Sequence, residues 1–232
     1  MHPLDRPVWS TLTTHHASLS EGNSLARRFL TDVNVFIASR DESPEALAAM
    51  ADLVKPGDLA FILQVPTIVL PPGFTEVKAA KGVQMEVATD PKDGGDRGVI
   101  DSPNAEIITL TEKDAPAMLA LATLTEPGPF LTRTHTMGHF RGVRIDGRLA
   151  AMAGERIRFP GYTEVSGVCT HPDFRGRGLA RRLSAAAVAG IEARGDQAFL
   201  HAWKTNQAAI SLYEGLGFKI RADVNISILR RN

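Results

Sequence analysis

The spacing of apolar and polar positions changes period several times along the chain. SPEALAAMADLV, residues 43–54, puts Leu47, Met50 and Leu53 on one helical face behind a Ser43 N-cap. SEGNSLARRFLTDVNVFIAS reads as a short helix and then a strand ending near Ser39, while DLAFILQV and TEVKAAKGVQMEVA read as strands. Between Thr89 and Asn104, TDPKDGGDRGVIDSPN is rich in Asp, Gly and Pro and predicts a turn or linker between two halves. AEIITL is then a strand, EKDAPAMLALATL a helix, and the less regular stretch 127–137 a further helical segment. HFRGVRI and RLAAMAGERIRF flank Asp146-Gly147, a hairpin signal, and Pro160-Gly161 turns the chain into the strand YTEVSGVCT. A helix from about Gly178 to Arg194 presents Leu179, Leu183, Ala186, Ala187, Gly190 and Ile191 on one face. QAFLHAW is a strand, NQAAISLYEGLG a helix closed by Gly217, and residues 218–229 a final pair of strands. Strands and helices mixed in this order predict an α/β (α+β) fold around a mixed sheet. The division expected is an N-terminal α/β region over residues 1–101, acting as a degenerate companion domain or as a wall of the acceptor site, and a second domain over 102–232.

One run stands apart from this pattern. HPDFRGRGLARRL, from His171 to Leu183, packs two glycines and four arginines between a strand and a helix. Glycines let a ligand come within hydrogen-bond distance of successive backbone N–H groups, and the helix N-terminus adds partial positive charge, so the run suits a phosphate-bearing ligand. A P-loop would need Gly-Lys-Ser/Thr, which is missing. A dinucleotide turn would need a third glycine and an acidic residue closing the next strand, where this chain has His201, Ala202 and Trp203. Taken alone, the loop is equally well read as a glycine-rich turn with a solvated basic edge.

A second motif lies downstream, at Asn206-Gln207-Ala208-Ala209-Ile210-Ser211-Leu212-Tyr213-Glu214-Gly215-Leu216-Gly217-Phe218. Singly, Asn206 is a helix N-cap, Tyr213 a core aromatic and Gly217 a C′ glycine. Together and in this order, the two motifs resemble those of the GNAT superfamily of acyl-CoA-dependent N-acetyltransferases. The likeness covers residues 105–229, and the string YTEVSGVCTHPDFRGRGLA is most similar to the glycine-N-acyltransferase-like branch.

The resemblance implies a sheet with splayed fourth and fifth strands and acetyl-CoA, or another acyl-CoA, as co-substrate. It implies that Arg175, Gly176, Arg177, Gly178, Leu179 and Ala180 cradle the pyrophosphate. Main-chain groups of Val168, Cys169 and Thr170 would pair with the pantetheine arm, and the N–H near Val168 or Cys169 would polarise the thioester carbonyl. Asn206 would order the bound cofactor or its water, and Tyr213 would protonate the leaving thiolate. The amine must lose a proton before it attacks. Glu164, on the face that strict alternation shares with Tyr162, Ser166 and Val168 unless a bulge intervenes, is the first candidate base, and Glu155 the second; the alternative is that Glu164 pairs with an arginine and a water network removes the proton. The reaction implied is direct attack of a primary amine on the thioester. The alternative is a CoA-binding sensor or assembly module without catalysis.

Composition narrows the partners. The chain carries 26 Lys plus Arg against 26 Asp plus Glu, so no nucleic-acid partner is expected, and a small-molecule amine fits better than a protein as acceptor. Cys169 is the single cysteine, so no intramolecular disulfide forms; read as a small strand residue, it does not call for an acyl-cysteine route. The seven histidines lack paired ligand spacing, so no metal is expected, and His201 reads as a core or rim residue. The longest apolar run, AFILQVPTIVLPP, is too short and too interrupted to span a bilayer, and MHPLDRP lacks a signal pattern. A cytoplasmic protein with no membrane partner is expected, and the final strands offer an edge on which a homodimer could form.

Overall fold

The structure is a computed structural model that describes residues 2–88 and 106–232. The linker expected at 89–104, and with it the division at 101/102, lies outside the described residues.

Pro3–Asp5 is a 3₁₀ turn and Pro7–Leu12 the first helix, α1. Residues 20–39 hold no helix. They form three short strands, β1 (Ser20–Gly22), β2 (Ala26–Phe29) and β3 (Ile37–Ser39), in a separate antiparallel sheet. Local turn chemistry overrides the apolar spacing there: Asn23 Oδ1 accepts the N–H groups of Leu25 and Ala26 at 2.8 and 3.1 Å, and Gly22 sits at φ +123°. Helix α2 (Pro44–Asp52) begins on the expected cap, with Ser43 Oγ accepting the Ala46 N–H at 3.3 Å.

The main sheet has eight strands: β4 (Leu59–Gln64), β5 (Phe74–Val87), β6 (Ile108–Leu110), β7 (Phe140–Ile145), β8 (Arg148–Phe159), β9 (Tyr162–Thr170), β10 (Gln197–Trp203) and β11 (Phe218–Arg231). Their spatial order is β4-β11-β5-β10-β9-β8-β7-β6. The expected final pair of strands is one long strand, β11, and its neighbour toward β10 is β5, from the N-terminal part of the chain. Residues 218–231 contain no glycine or proline to turn on; instead, a register shift between Ile220 and Ala222 bends the strand. Strands from both sides of residues 89–105 therefore share one sheet.

Helix α3 (Ala115–Thr125) follows β6 as expected. Residues 127–137 are not a helix: Pro127, Gly128 at φ +130° and Pro129 break the pattern, leaving a 3₁₀ turn over Thr134–Met137. Helix α4 (Leu179–Glu192) crosses between β9 and β10, and α5 (Gln207–Glu214) precedes β11. One face of the sheet is covered by α4 and α5, with Leu183, Ala187, Val188 and Ile191 inward. On the other face, α3 packs Met118 and Leu121 on Met152, while Leu4, Val8, Leu12, Phe29 and Phe36 pack on Ile157, Phe159 and Phe199.

Candidate active site

β9 and β10 run parallel but pair only from Tyr162 to Glu164 against Gln197 to Phe199. Beyond that point β9 stays with β8 as far as Thr170, and β10 stays with β5 as far as Trp203. The two strands separate, and the gap opens into a cleft of about 730 Å3. A parallel pair needs a crossover, here α4, and its N-terminus therefore sits at the mouth of the gap.

The glycine loop shapes that mouth. Gly176 and Gly178 have φ of +75° and +71°, and a Cβ at either would meet nothing within 4 Å. The left-handed backbone excludes other residues cheaply, while the space above the loop stays open to a ligand. The first-turn N–H groups of α4 have no intrahelical acceptor, so the cradle is lined with donors. Thr170 Oγ1, also at the cleft, is buried and has no hydrogen-bond partner among the described residues. These features fit the pyrophosphate and pantetheine arm of a CoA thioester. Arg177 stacks its guanidinium 5.2 Å from the Phe174 ring, and Arg181 donates to Gly215 O at 3.1 Å, tying α4 to the end of α5.

Val168, Cys169, Thr170, all of residues 175–180, Asn206 and Tyr213 border this one cleft. Asn206 caps α5, its Oδ1 accepting the Ala209 N–H at 3.1 Å. Burial first, and then the negative charge of Glu164, pushes the Tyr213 phenol up to about 12, so it is protonated at neutral pH. Burial likewise pushes the Cys169 thiol up to about 11, which removes the thiolate an acyl-cysteine would need.

Strict alternation along β9 fails. Met152 pairs with Cys169 but Gly154 with Ser166, so β9 carries an extra residue at a bulge where Gly167 takes φ +61°. Val168 is thereby turned off the face of Ser166 and Glu164. A second shift leaves Arg156 and Ile157 of β8 opposite Glu164 alone, and both reach it. Arg156 Nε donates to Glu164 Oε2 at 2.8 Å and Nη2 to Oε1 at 2.7 Å, and the Ile157 N–H donates to Oε2 at 3.3 Å. His201 Nδ1 completes the set, 2.7 Å from Oε1. Glu164 is fully buried, and burial alone would raise its pKa; Arg156 and His201 outweigh that and bring it down to about 2. The carboxylate is enclosed by these partners and does not border the cleft, an arrangement that counts against its taking a proton from an amine there. Its contacts give Glu164 a positioning role on Arg156 and His201, both of which border the cleft. Glu155 is also buried, accepting from Arg194 Nη2 at 2.6 Å.

The polar chain continues inward. Gln84, wholly buried on β5, donates from Nε2 to Leu4 O at 2.9 Å and faces His201 Nε2 at 3.0 Å. Its Oε1 accepts from Arg221 Nη1 at 2.8 Å, and Arg221 Nη2 donates to Asp5 at 2.7 Å. These contacts fix the amide orientation, so Nε2 of His201 must accept and Nδ1 carries the proton toward Glu164. Sequence reasoning allowed Glu164 an arginine partner without naming Arg156, which a register shift in the adjacent hairpin brings opposite it, and missed Gln84 and this arrangement of His201, whose partners come from strands far apart in the chain. It also missed the cleft's far wall, Phe36, Phe61, Leu63, Ile226 and Ile228.

Among the described residues no group of three or more His, Cys, Asp or Glu side chains is placed to hold a metal, and no helix is long and apolar enough to cross a membrane.

Residues 141–226 match the FR47-like protein family. The mycothiol acetyltransferase of Thermobispora bispora is 46% identical over 56 residues, which is 24% of this chain and only 19% of that enzyme. A GCN5-related N-acetyltransferase from Kribbella flavida shares the fold, with a TM-score of 0.65 at 20% identity over 100% of this chain and 96% of that one. A crystal structure from Novosphingobium aromaticivorans, assigned to the GNAT family of acetyltransferases, superposes with a TM-score of 0.89 and is 41% identical over 100% of both chains. Identity at that level over the whole of both chains makes the chain a member of the GNAT family of acetyltransferases.

Proposed function

We propose that the protein transfers the acetyl group of acetyl-CoA to the primary amine of a small molecule, by direct attack within this cleft. The observation that carries the proposal is the convergence of the β9 bulge, the open glycine loop and Tyr213 on one cavity whose far end is walled by other residues. Acetyl-CoA supplies an acyl carbon activated by its thioester. The main chain at Val168 and Cys169 lies where the carbonyl can be polarised. A carbon–nitrogen bond forms, the carbon–sulfur bond breaks, and one proton is released as the ammonium becomes an amide and CoA leaves as the thiol. Tyr213 stays a phenol at working pH and hydrogen-bonds the departing sulfur; at a pKa of about 12 it supports the thiolate more as a donor than by full proton transfer. No carboxylate outside the buried Glu164 and Glu155 was foreseen as base, and the cleft contributes Glu126, exposed at the end of α3. Ping-pong chemistry through Cys169 is disfavoured by its raised pKa.

Calorimetric titration of acetyl-CoA into the wild type and Gly178→Glu tests the cradle. Micromolar binding abolished by the substitution is expected, and absence of binding to the wild type would overturn the proposal. Tyr213→Phe should lower turnover and leave CoA affinity nearly intact; unchanged turnover would remove the acid from the mechanism.

A further inference from the structure

The far end of the cleft is built from one face of a three-stranded ribbon. Ile228 on β11 pairs with Phe61 on one side and Lys78 on the other, and Ile226 pairs with Leu63 and Ala80. Residues directly opposite in antiparallel strands share a face, so these form two rungs, apolar across β4 and β11 and ending on Lys78 at the β5 edge. Phe36 closes the wall, edge-on to Phe61 with ring centroids 6.4 Å apart. Lys78 Nζ lies over the Trp203 ring at 5.7 Å.

Opposite this wall stands a cation with donors to spare. Arg156 is 8% exposed and lies over the Phe36 ring at 5.0 Å. Its Nε and Nη2 are taken by Glu164, while Nη1 makes no hydrogen bond among the described residues and points toward Gly128, whose Cβ, if present, would sit 3.8 Å from it. Both Arg156 and Gly128 border the cleft. A guanidinium nitrogen at the cleft wall with no acceptor among the described residues is available to a ligand oxygen, and a carboxylate is the acceptor that guanidinium groups pair with most strongly. Among the described residues that border the cleft, Glu126 is the one carboxylate, and they form no acidic cluster of the kind a polyamine would require.

We infer that the acceptor is an amine on an apolar body that also carries a carboxylate, as in a free amino acid with an aromatic or large aliphatic side chain. The apolar body lies on the Phe36, Phe61, Ile226 and Ile228 wall, and the carboxylate meets Arg156 Nη1. This inference rests on the acetyl-transfer reading and adds the substrate class to it.

The test is thiol release from acetyl-CoA, with product mass, using L-phenylalanine, L-phenylalaninamide, 2-phenylethylamine, glycine and spermidine as acceptors. Changing the ligand avoids Arg156 variants, which would strand Glu164 and risk unfolding. The amide has the more acidic ammonium and is favoured on chemistry alone, so a preference for the acid reports recognition of its carboxylate. Expected is a kcat/KM for L-phenylalanine at least roughly tenfold above the amide and above glycine, the size of one charge-assisted hydrogen bond or of a buried apolar side chain. Phe61→Ala should raise KM for L-phenylalanine by about tenfold and leave KM for acetyl-CoA unchanged. Equal use of the amide or of 2-phenylethylamine, preference for spermidine or glycine, or no transfer to L-phenylalanine by protein that binds acetyl-CoA would overturn the substrate class alone. Failure to bind acetyl-CoA would overturn the acetyl-transfer reading beneath it.

Discussion

The two ends of the cleft are made in opposite ways. The cofactor end comes from short continuous stretches, 168–170, 175–180 and 206–213, and relies on backbone: a bulge, two left-handed glycines and a helix N-terminus. The end we assign to the acceptor comes from residues 36, 61, 63, 78, 156, 226 and 228 on five separate segments, and relies on side chains. Between them lies the buried Arg156–Glu164–His201–Gln84–Arg221 chain. A backbone cradle needs particular residues at fixed spacing and tolerates almost any neighbours. A side-chain wall needs only apolar bulk, but from strands that topology must bring together.

The sharpest way to break the comparison is at the buried chain. Glu164→Gln leaves Arg156 buried without its counter-charge and should cost about 3–5 kcal/mol, read as a lower urea midpoint at unchanged slope. Glu164 titrates lower folded than unfolded, so its contribution is present above its ordinary value of 4.5 and is lost as pH falls toward about 2. The wild type should therefore lose stability over that window, and Glu164→Gln should lose less there. An equally steep acid limb in both would mean another carboxylate sets it. Next in size, Gln84→Leu strips Leu4 O, His201 and Arg221 of a partner and should cost roughly 1–3 kcal/mol. A lower urea midpoint at unchanged slope checks this, and an unchanged midpoint would mean that other groups or water replace the amide's bonds. The smallest effect belongs to the cofactor end. Gly176→Ala fills open space but must adopt φ +75°, at about 1–2 kcal/mol, and should weaken acetyl-CoA binding by roughly tenfold while leaving acceptor KM unchanged.

The same contrast explains what could be read from the chain. Residues 175–180, Asn206 and Tyr213 were visible because their spacing is itself the chemistry. The splay of β9 from β10 followed from the family resemblance, and α2 from its Ser43 cap. Glu164 was placed on the right strand, but strict alternation could not show that Arg156 and Ile157 crowd opposite it, because a bulge leaves no mark in a single sequence. Residues 20–39 were misread where an Asx turn at Asn23 interrupts a helix-like spacing. The stretch 218–229 was split in two because a mixed sheet needs a neighbour for its last strand, and that neighbour was hidden more than a hundred residues upstream.

That neighbour, β5, has consequences for how the molecule comes into being. It lies between β10 and β11 but is synthesised before either, so its ladders on both sides wait for the far end of the chain. Such long-range pairing is slow to close, and until it does β5 offers two bare edges to anything nearby. A fragment starting after residue 101 would lack the strand that joins β10 to β11 and would open the sheet beside the cleft. A nascent or truncated chain should therefore depend on chaperones more than one whose neighbouring strands follow one another in sequence.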